Sequence, residues 1–338
     1  MRSEGAERVT VAEPTPRLST PEHAMNRLHT RSPRIGLILP YTDLYLAGGT
    51  PHWSDLMAQA RLAEDVGFDS VWVPDHLLFR FPGTNTGGAW DCWSLLAALA
   101  AVTSRVALGP IVTCTGFRNP ALLAKIADTV DEISGGRLIL GLGAGWNEAE
   151  FHAFGYPFDH LASRFEEALT IITGLLRHGQ VDFAGTYYQA RECELRPRGP
   201  RPHGLPIMIG TTGARMLRLT AQHADAWNAW FDDTGNRPEG IAPLRTKVDA
   251  GCAAVGRDPT TLARTAAVLV KLPDGPDRLT GIPFESDTVP LVGSPDELAE
   301  EFRAFGHAGI THLQVMLLPS TPAGIVAFAP VLEILDRA

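Results

Sequence analysis

A chain of 338 residues, 45% hydrophobic and 20% charged, can fill one large core and is not an intrinsically disordered protein. Its formal charge of −9 argues against nucleic acid or anionic membrane as a partner, since both need clustered Lys and Arg. No apolar run approaches the length that spans a bilayer. The cysteines (Cys92, Cys114, Cys193, Cys252) are widely spaced and form no CxxC pair, which suits a reducing cytoplasm and offers neither a zinc site nor a disulfide framework.

Residues 1–33, rich in Pro, Glu, Arg, Ser and Thr, lack the apolar centre of a signal peptide; they read as a flexible arm, with Met25 as an alternative start. From Arg34 onward short apolar runs alternate with helical patterns. Strand 35–39 is followed by a helix that Thr50 and Pro51 are expected to open and Gly67 to end. Strand 70–73 precedes a helix over 92–102 capped by Asp91, and strand 106–113 precedes a helix that Asn119 and Pro120 open and Gly135-Gly136 stop. The fourth strand, 138–142, leads through a long loop to a helix over 164–177. The fifth, 207–209, is followed by a helix over 214–223, and the sixth, 226–229, by one from about 238 to 255. The seventh spans 265–271, ahead of a helix from Ser294-Pro295 to Phe305, and the eighth spans 312–317, ahead of a final helix over 322–335.

Eight βα units with right-handed crossovers predict an α/β fold, a (β/α)8 TIM barrel over residues 34–338, in preference to an open doubly wound sheet. Four insertions interrupt the plan, at about 77–90, 146–162, 178–205 and 272–292. The first, second and fourth follow strands and so belong to the catalytic face; the third follows a helix and holds a hairpin over 181–189.

Four strand ends carry residues suited to chemistry. At the second, His76 can exchange a proton near neutral pH, and Asp75 beside it can orient the imidazole or hold a ligand hydroxyl. Thr113 and Cys114, with Val112 before them, close the third strand and can line the site, although a buried Cys is more often core than ligand. After the fourth, Gly141, Gly143, Ala144 and Gly145, followed by Trp146 and Asn147, allow close backbone approach to a flat ring. Their GxGxG spacing and the missing downstream acid do not make a dinucleotide fingerprint. After the fifth, Gly210, Thr211, Thr212, Gly213 and Ala214 open a helix whose free amides suit a cofactor phosphate, or form an ordinary glycine-rich turn. There is no GxSxG elbow, P-loop, HExxH or paired-His metal motif.

Taken together, the stretches at 71–76, 115–125, 128–138, 140–147, 210–213 and 224–228 resemble the luciferase-like flavin/deazaflavin oxidoreductase family over nearly the whole chain from Arg34. The resemblance implies a barrel holding coenzyme F420 or FMN at its carboxyl end. It also implies a non-proline cis peptide near 111–113 that pushes the backbone toward the ring. Asp75-His76 is similar to the pair of F420-dependent members, in which the Asp binds cofactor and the His supplies a proton. Two positions depart from the sugar-phosphate dehydrogenase relatives, whose Glu and Trp would fall at Trp146 and Arg80.

The expectation is therefore a cytoplasmic enzyme performing two-electron chemistry on a small organic substrate. F420 would serve hydride transfer; reduced FMN (FMNH2) would serve monooxygenation. His76 and Asp75 are the catalytic candidates, with Tyr156 as a reserve lid residue. A homodimer is the default assembly. A non-catalytic flavin-binding barrel is the rival from another class, and an NAD-dependent dehydrogenase is disfavoured by the missing Rossmann unit.

Overall fold

The computed structural model describes residues 31–42, 50–81, 85–275 and 288–337. Residues 1–30 of the expected arm and 276–287 of the fourth insertion lie outside them. Arg31 is already part of the folded body: it is buried, its Nε lies 3.1 Å from Asp69, and its guanidinium also bonds the Gly67 carbonyl.

The central strands are β1 (Arg34–Ile38), β2 (Ser70–Val73), β5 (Ala107–Pro110), β6 (Thr113–Cys114), β7 (Leu140–Gly143), β10 (Ile207–Gly210), β11 (Ala226–Ala229), β12 (Ala263–Lys271) and β13 (His312–Leu318). The short pairs β3 (Leu78–Phe79) with β4 (Gly87–Gly88) and β8 (Gln180–Ala184) with β9 (Gln189–Glu194) form separate hairpins in the first and third insertions. The central sheet is parallel throughout, in the order β5-β2-β1-β13-β12-β11-β10-β7-β6. Its terminal strands β5 and β6 are two stretches of one barrel strand, interrupted at the cis peptide between Ile111 and Val112. A bridge from Leu108 to Leu138 spans the same seam, so eight strands close on themselves.

Side-chain alternation splits the apolar residues into two layers. Ile38, Trp72, Ile111, Ile139, Met208 and Leu269 fill the barrel interior. Leu37, Val71, Leu108, Leu140, Val268 and Val315 face outward and pack against the surrounding helices.

Those helices begin where local capping chemistry permits. Asp91 accepts from Ser94 N at 2.7 Å to open α2 (Cys92–Val102), after α1 (Trp53–Val66). Asn119 accepts from Ala121 N at 2.9 Å to open α3 (Pro120–Ile133). The first helix starts later than Thr50-Pro51 suggests, because His52 and Asp55 form a capping box and the Pro51 carbonyl is taken by Trp90 Nε1 at 2.8 Å. It ends at Gly67, whose φ of 101° is the left-handed conformation that glycine tolerates.

Beyond β7 the chain forms α4 (Glu148–Phe154), unforeseen within the expected long loop, and then α5 (Leu161–Thr173) with a π-helical turn, Gly174–His178. The remaining helices are α6 (Ala214–His223), α7 (Ile241–Ala253), α8 (Pro295–His307) and α9 (Pro322–Asp336). The β8–β9 hairpin folds back along α5. Glu167 accepts from the amides of Thr186, Tyr187 and Tyr188 at 2.7, 2.8 and 3.0 Å, and the Arg164 guanidinium lies 4.4 Å over the Tyr187 ring.

The barrel floor holds a buried imidazole. His312 Nε2 lies 2.8 Å from Ser70 Oγ, which accepts from Trp72 Nε1 at 2.7 Å. Burial, aided by Arg34 and Arg31, holds His312 well below the usual imidazole range. Its neutral form therefore favours folding in full above about pH 6.5, and that contribution is lost as pH falls toward the depressed folded value. We expect this one residue to tilt stability by up to about 1.4 kcal/mol per pH unit below pH 6.5. Urea midpoints of wild type and His312→Gln from pH 7.5 to 5 check this; parallel curves would remove His312 as the source.

Candidate active site

The parallel register brings the candidate strand ends to one end of the barrel. Thr113 pairs with Leu142, Cys114 with Gly143, and Gly210 with Asn228. Asp75 joins them by side chain: its Oδ2 accepts from Thr113 Oγ1 at 2.6 Å and from Cys114 N at 3.1 Å.

Asp75 is not free to orient its neighbour. Its side chain is 0% exposed and pairs with Arg118, Nη1 to Oδ2 at 2.7 Å and Nη2 to Oδ1 at 3.2 Å. Arg118 also reaches Asp91 Oδ1 at 2.8 Å and so ties the second and third strand ends to the start of α2. Asp75, foremost among other charges, holds the Arg118 guanidinium above its ordinary value against the opposing effect of burial. Thr113 Oγ1 in turn accepts from Trp93 Nε1 at 2.8 Å.

His76 takes its carboxylate from elsewhere. Its Nδ1 lies 2.9 Å from Glu150 Oε1, and Glu150 Oε2 accepts from Leu77 N at 2.9 Å. The His76 side chain is 17% exposed and that of Glu150 only 2%. Its ring packs 4.6 Å from Phe79 and edge-on to the half-exposed Trp146 at 5.5 Å. Helix α4 holds Glu150 in place because Phe151, next in sequence, is fully buried against Phe117 and Phe158, 4.9 and 5.1 Å away.

The fourth-strand glycines have a structural explanation. A Cβ on Gly141 would lie 2.1 Å from the Pro110 carbonyl, and one on Gly143 2.7 Å from Val112 Cγ2. Val112 therefore occupies the space beside Gly143, and it also approaches Gly210, where a Cβ would lie 3.3 Å away. Gly145 has φ +86°, and a Cβ there would lie 2.6 Å from Cys114 Sγ. Cys114 contacts the Ala144 carbonyl at 3.8 Å, and burial, together with Asp75, raises its thiol pKa. Asn147 is buried and donates to the Leu78 carbonyl at 2.9 Å, holding the loop beyond His76. Tyr156, the reserve candidate, packs against Phe117 at 5.5 Å and joins the aromatic cluster that seats α4.

Around the fifth strand the Thr211 carbonyl accepts from Trp227 Nε1 at 2.6 Å, and Gly213 N lies 3.3 Å from Thr211 Oγ1. No side chain caps α6, and a Cβ at Gly213 would meet nothing within 4 Å. Thr212 is half-buried, and Gly213 and Ala214 are exposed, so the amide end of this helix is open. The candidates thus form two neighbourhoods, one around His76 and one at the start of α6, with Val112 between them. Glu150 and Arg118 complete the first and were missed from the sequence.

Fold and site together define an α/β barrel with the His76–Glu150 pair and the start of α6, which no side chain caps, both at the carboxyl ends of its strands. The family model described as luciferase-like monooxygenase matches residues 34–280, and the chain belongs to this family. It is 32% identical over 224 residues to an F420-dependent hydroxymycolic acid dehydrogenase of Mycobacterium tuberculosis, covering 65% of this chain and 59% of that one. It is 35% identical over 184 residues to the pyrimidine monooxygenase RutA of Cronobacter sakazakii, covering 51% and 53%. The matches thus span little more than half the length of these relatives, which are all oxidoreductases. The solved structure of an F420-dependent secondary alcohol dehydrogenase with an F420-acetone adduct superposes with a TM-score of 0.75 at 21% identity, over 90% of this chain and 99% of that one, a likeness of fold. Among the described residues, no helix is long and apolar enough to cross a membrane.

Proposed function

We propose that this chain is an F420-dependent oxidoreductase that transfers hydride to or from a small organic substrate, with His76 handling the accompanying proton. The observation that carries the reading is the His76 imidazole at the barrel mouth, bonded through Nδ1 to a buried carboxylate and with Nε2 unpartnered among the described residues. An imidazole so arranged is suited to general acid–base work.

The site fits a flat cofactor with a phosphate. The uncapped amides from Ala214 onward would take the phosphate, since helix N-termini favour anions. Val112, with Thr113 and Cys114 behind it, would back the ring, and Trp146 would close it from the side of α4. Bound F420 would supply the two-electron hydride chemistry. The protein's part is to hold ring and substrate, keep water out and move the proton at His76 Nε2. Asp75 acts here by fixing the third strand end through Thr113 and Cys114.

A second reading, a monooxygenase using reduced FMN, is favoured by the 35% identity to the pyrimidine monooxygenase. Titrating the protein with F420 and with FMN, each oxidised and reduced, tests the choice. We expect F420 to bind at least tenfold tighter and to support turnover. Tighter FMN binding with oxygen-dependent product would overturn the F420 reading in favour of the second.

The phosphate placement is tested separately. Gly213→Asp puts a carboxylate where the anion would sit, and affinity is expected to drop by about tenfold or more, the worth of one unfavourable charge near a helix start. Unchanged affinity in a variant with native circular dichroism would move the phosphate elsewhere.

A further inference from the structure

We infer that Glu150 is the positioning residue for His76: it keeps the neutral imidazole in its Nδ1–H form, so that Nε2 is the atom that accepts or returns the reaction's proton. The inference rests on the proposed role of His76 and adds to it the identity of the reacting nitrogen and the group that selects it.

The hydrogen-bond inventory carries the argument. An ionised carboxylate only accepts. Glu150 Oε2 already accepts from Leu77 N at 2.9 Å, with Leu78 N at 3.5 Å, while Oε1 faces His76 Nδ1 at 2.9 Å. A lone pair on Nδ1 would oppose the lone pairs of Oε1 inside a contact that is almost fully dry. The proton of a neutral ring therefore belongs on Nδ1, and the lone pair on Nε2. The carboxylate also fixes the ring's rotation, since it is itself anchored to the backbone just beyond His76. Asp75, adjacent in sequence, does not compete, because its oxygens are engaged by Thr113, Cys114 and Arg118.

Glu150→Gln is the discriminating variant. A glutamine keeps the size and one acceptor oxygen, and the Leu77 and Leu78 amides both call for that oxygen. The side-chain NH2 is then turned toward His76 and demands a lone pair on Nδ1. The variant should remain folded with its ring in the opposite tautomer, Nε2–H.

The experiment is 15N-edited NMR of imidazole-labelled protein at pH 8.5, with and without the substitution, beside thermal melting, F420 affinity and turnover. Expected are the Nδ1–H tautomer in wild type, the Nε2–H tautomer in Glu150→Gln, unchanged F420 affinity, and turnover lower by about 100-fold or more, as when the carboxylate partner of a catalytic imidazole is neutralised. An Nε2–H tautomer in wild type overturns the inference without need of any variant, and so does a folded Glu150→Gln protein that retains Nδ1–H. A tautomer that switches while turnover holds would leave Glu150 as the selector and would instead remove His76 from proton transfer, so the two failures are distinguishable.

Discussion

Replacing His76 with alanine is expected to lower turnover by roughly 100- to 10,000-fold, the usual worth of general acid–base catalysis. Cofactor affinity should change little, because the α6 amides and the Val112 seam do not depend on the imidazole. The variant also strips Glu150 Oε1 of its partner in a side chain that is 2% exposed. Stability should therefore fall by about 1–3 kcal/mol, the cost of a buried acceptor left unpaired. Turnover must be normalised to the folded fraction, measured by thermal melting on the same preparation. Near-normal turnover per folded molecule would take His76 out of the mechanism.

Arg118→Ala is expected to be the most destabilising single change at the site, by about 3–5 kcal/mol, as when one partner of a buried ion pair is removed. Asp75, with a side chain 0% exposed, would keep only the Thr113 hydroxyl and the Cys114 amide to balance its charge. The third strand end would loosen with it, and Asp91 would lose its bridge to the same guanidinium. Urea denaturation measures the loss. Adding Asp75→Asn to Arg118→Ala should recover part of it, since the uncompensated charge is then gone, and the double variant should fall short of the sum of the two singles. A loss below 1 kcal/mol for Arg118→Ala would mean that water reaches Asp75 and that the pair is ornamental to the fold.

Much of the architecture was legible because it is written locally. Asp91, Asn119 and Ser294 sit where their side chains cap the next helix, and all three do so. The second and sixth strands and the helix after the fifth fall on the expected residues. The eight-unit alternation implies the closed barrel, and the non-proline cis peptide that the family resemblance, rather than any local pattern, implies lies between Ile111 and Val112. The seven-residue helix Glu148–Phe154 escaped because it is too short for a 3.6-residue period to stand out.

What this sequence determined by itself was the order of strands and helices, their caps, and hence which short stretches reach the carboxyl face, because each depends on residues a few positions apart. Which side chains meet there was decided only by closure of the barrel. Sequence adjacency suggests Asp75 as the partner of His76, yet successive residues at a strand end point to opposite sides. Asp75 turns toward the third strand and Arg118, 43 residues away, and His76 toward Glu150, 74 residues away. The glycines after the fourth strand show the same division: their positions are local, but what fills the space beside Gly143 is Val112, brought across the seam by the tertiary fold.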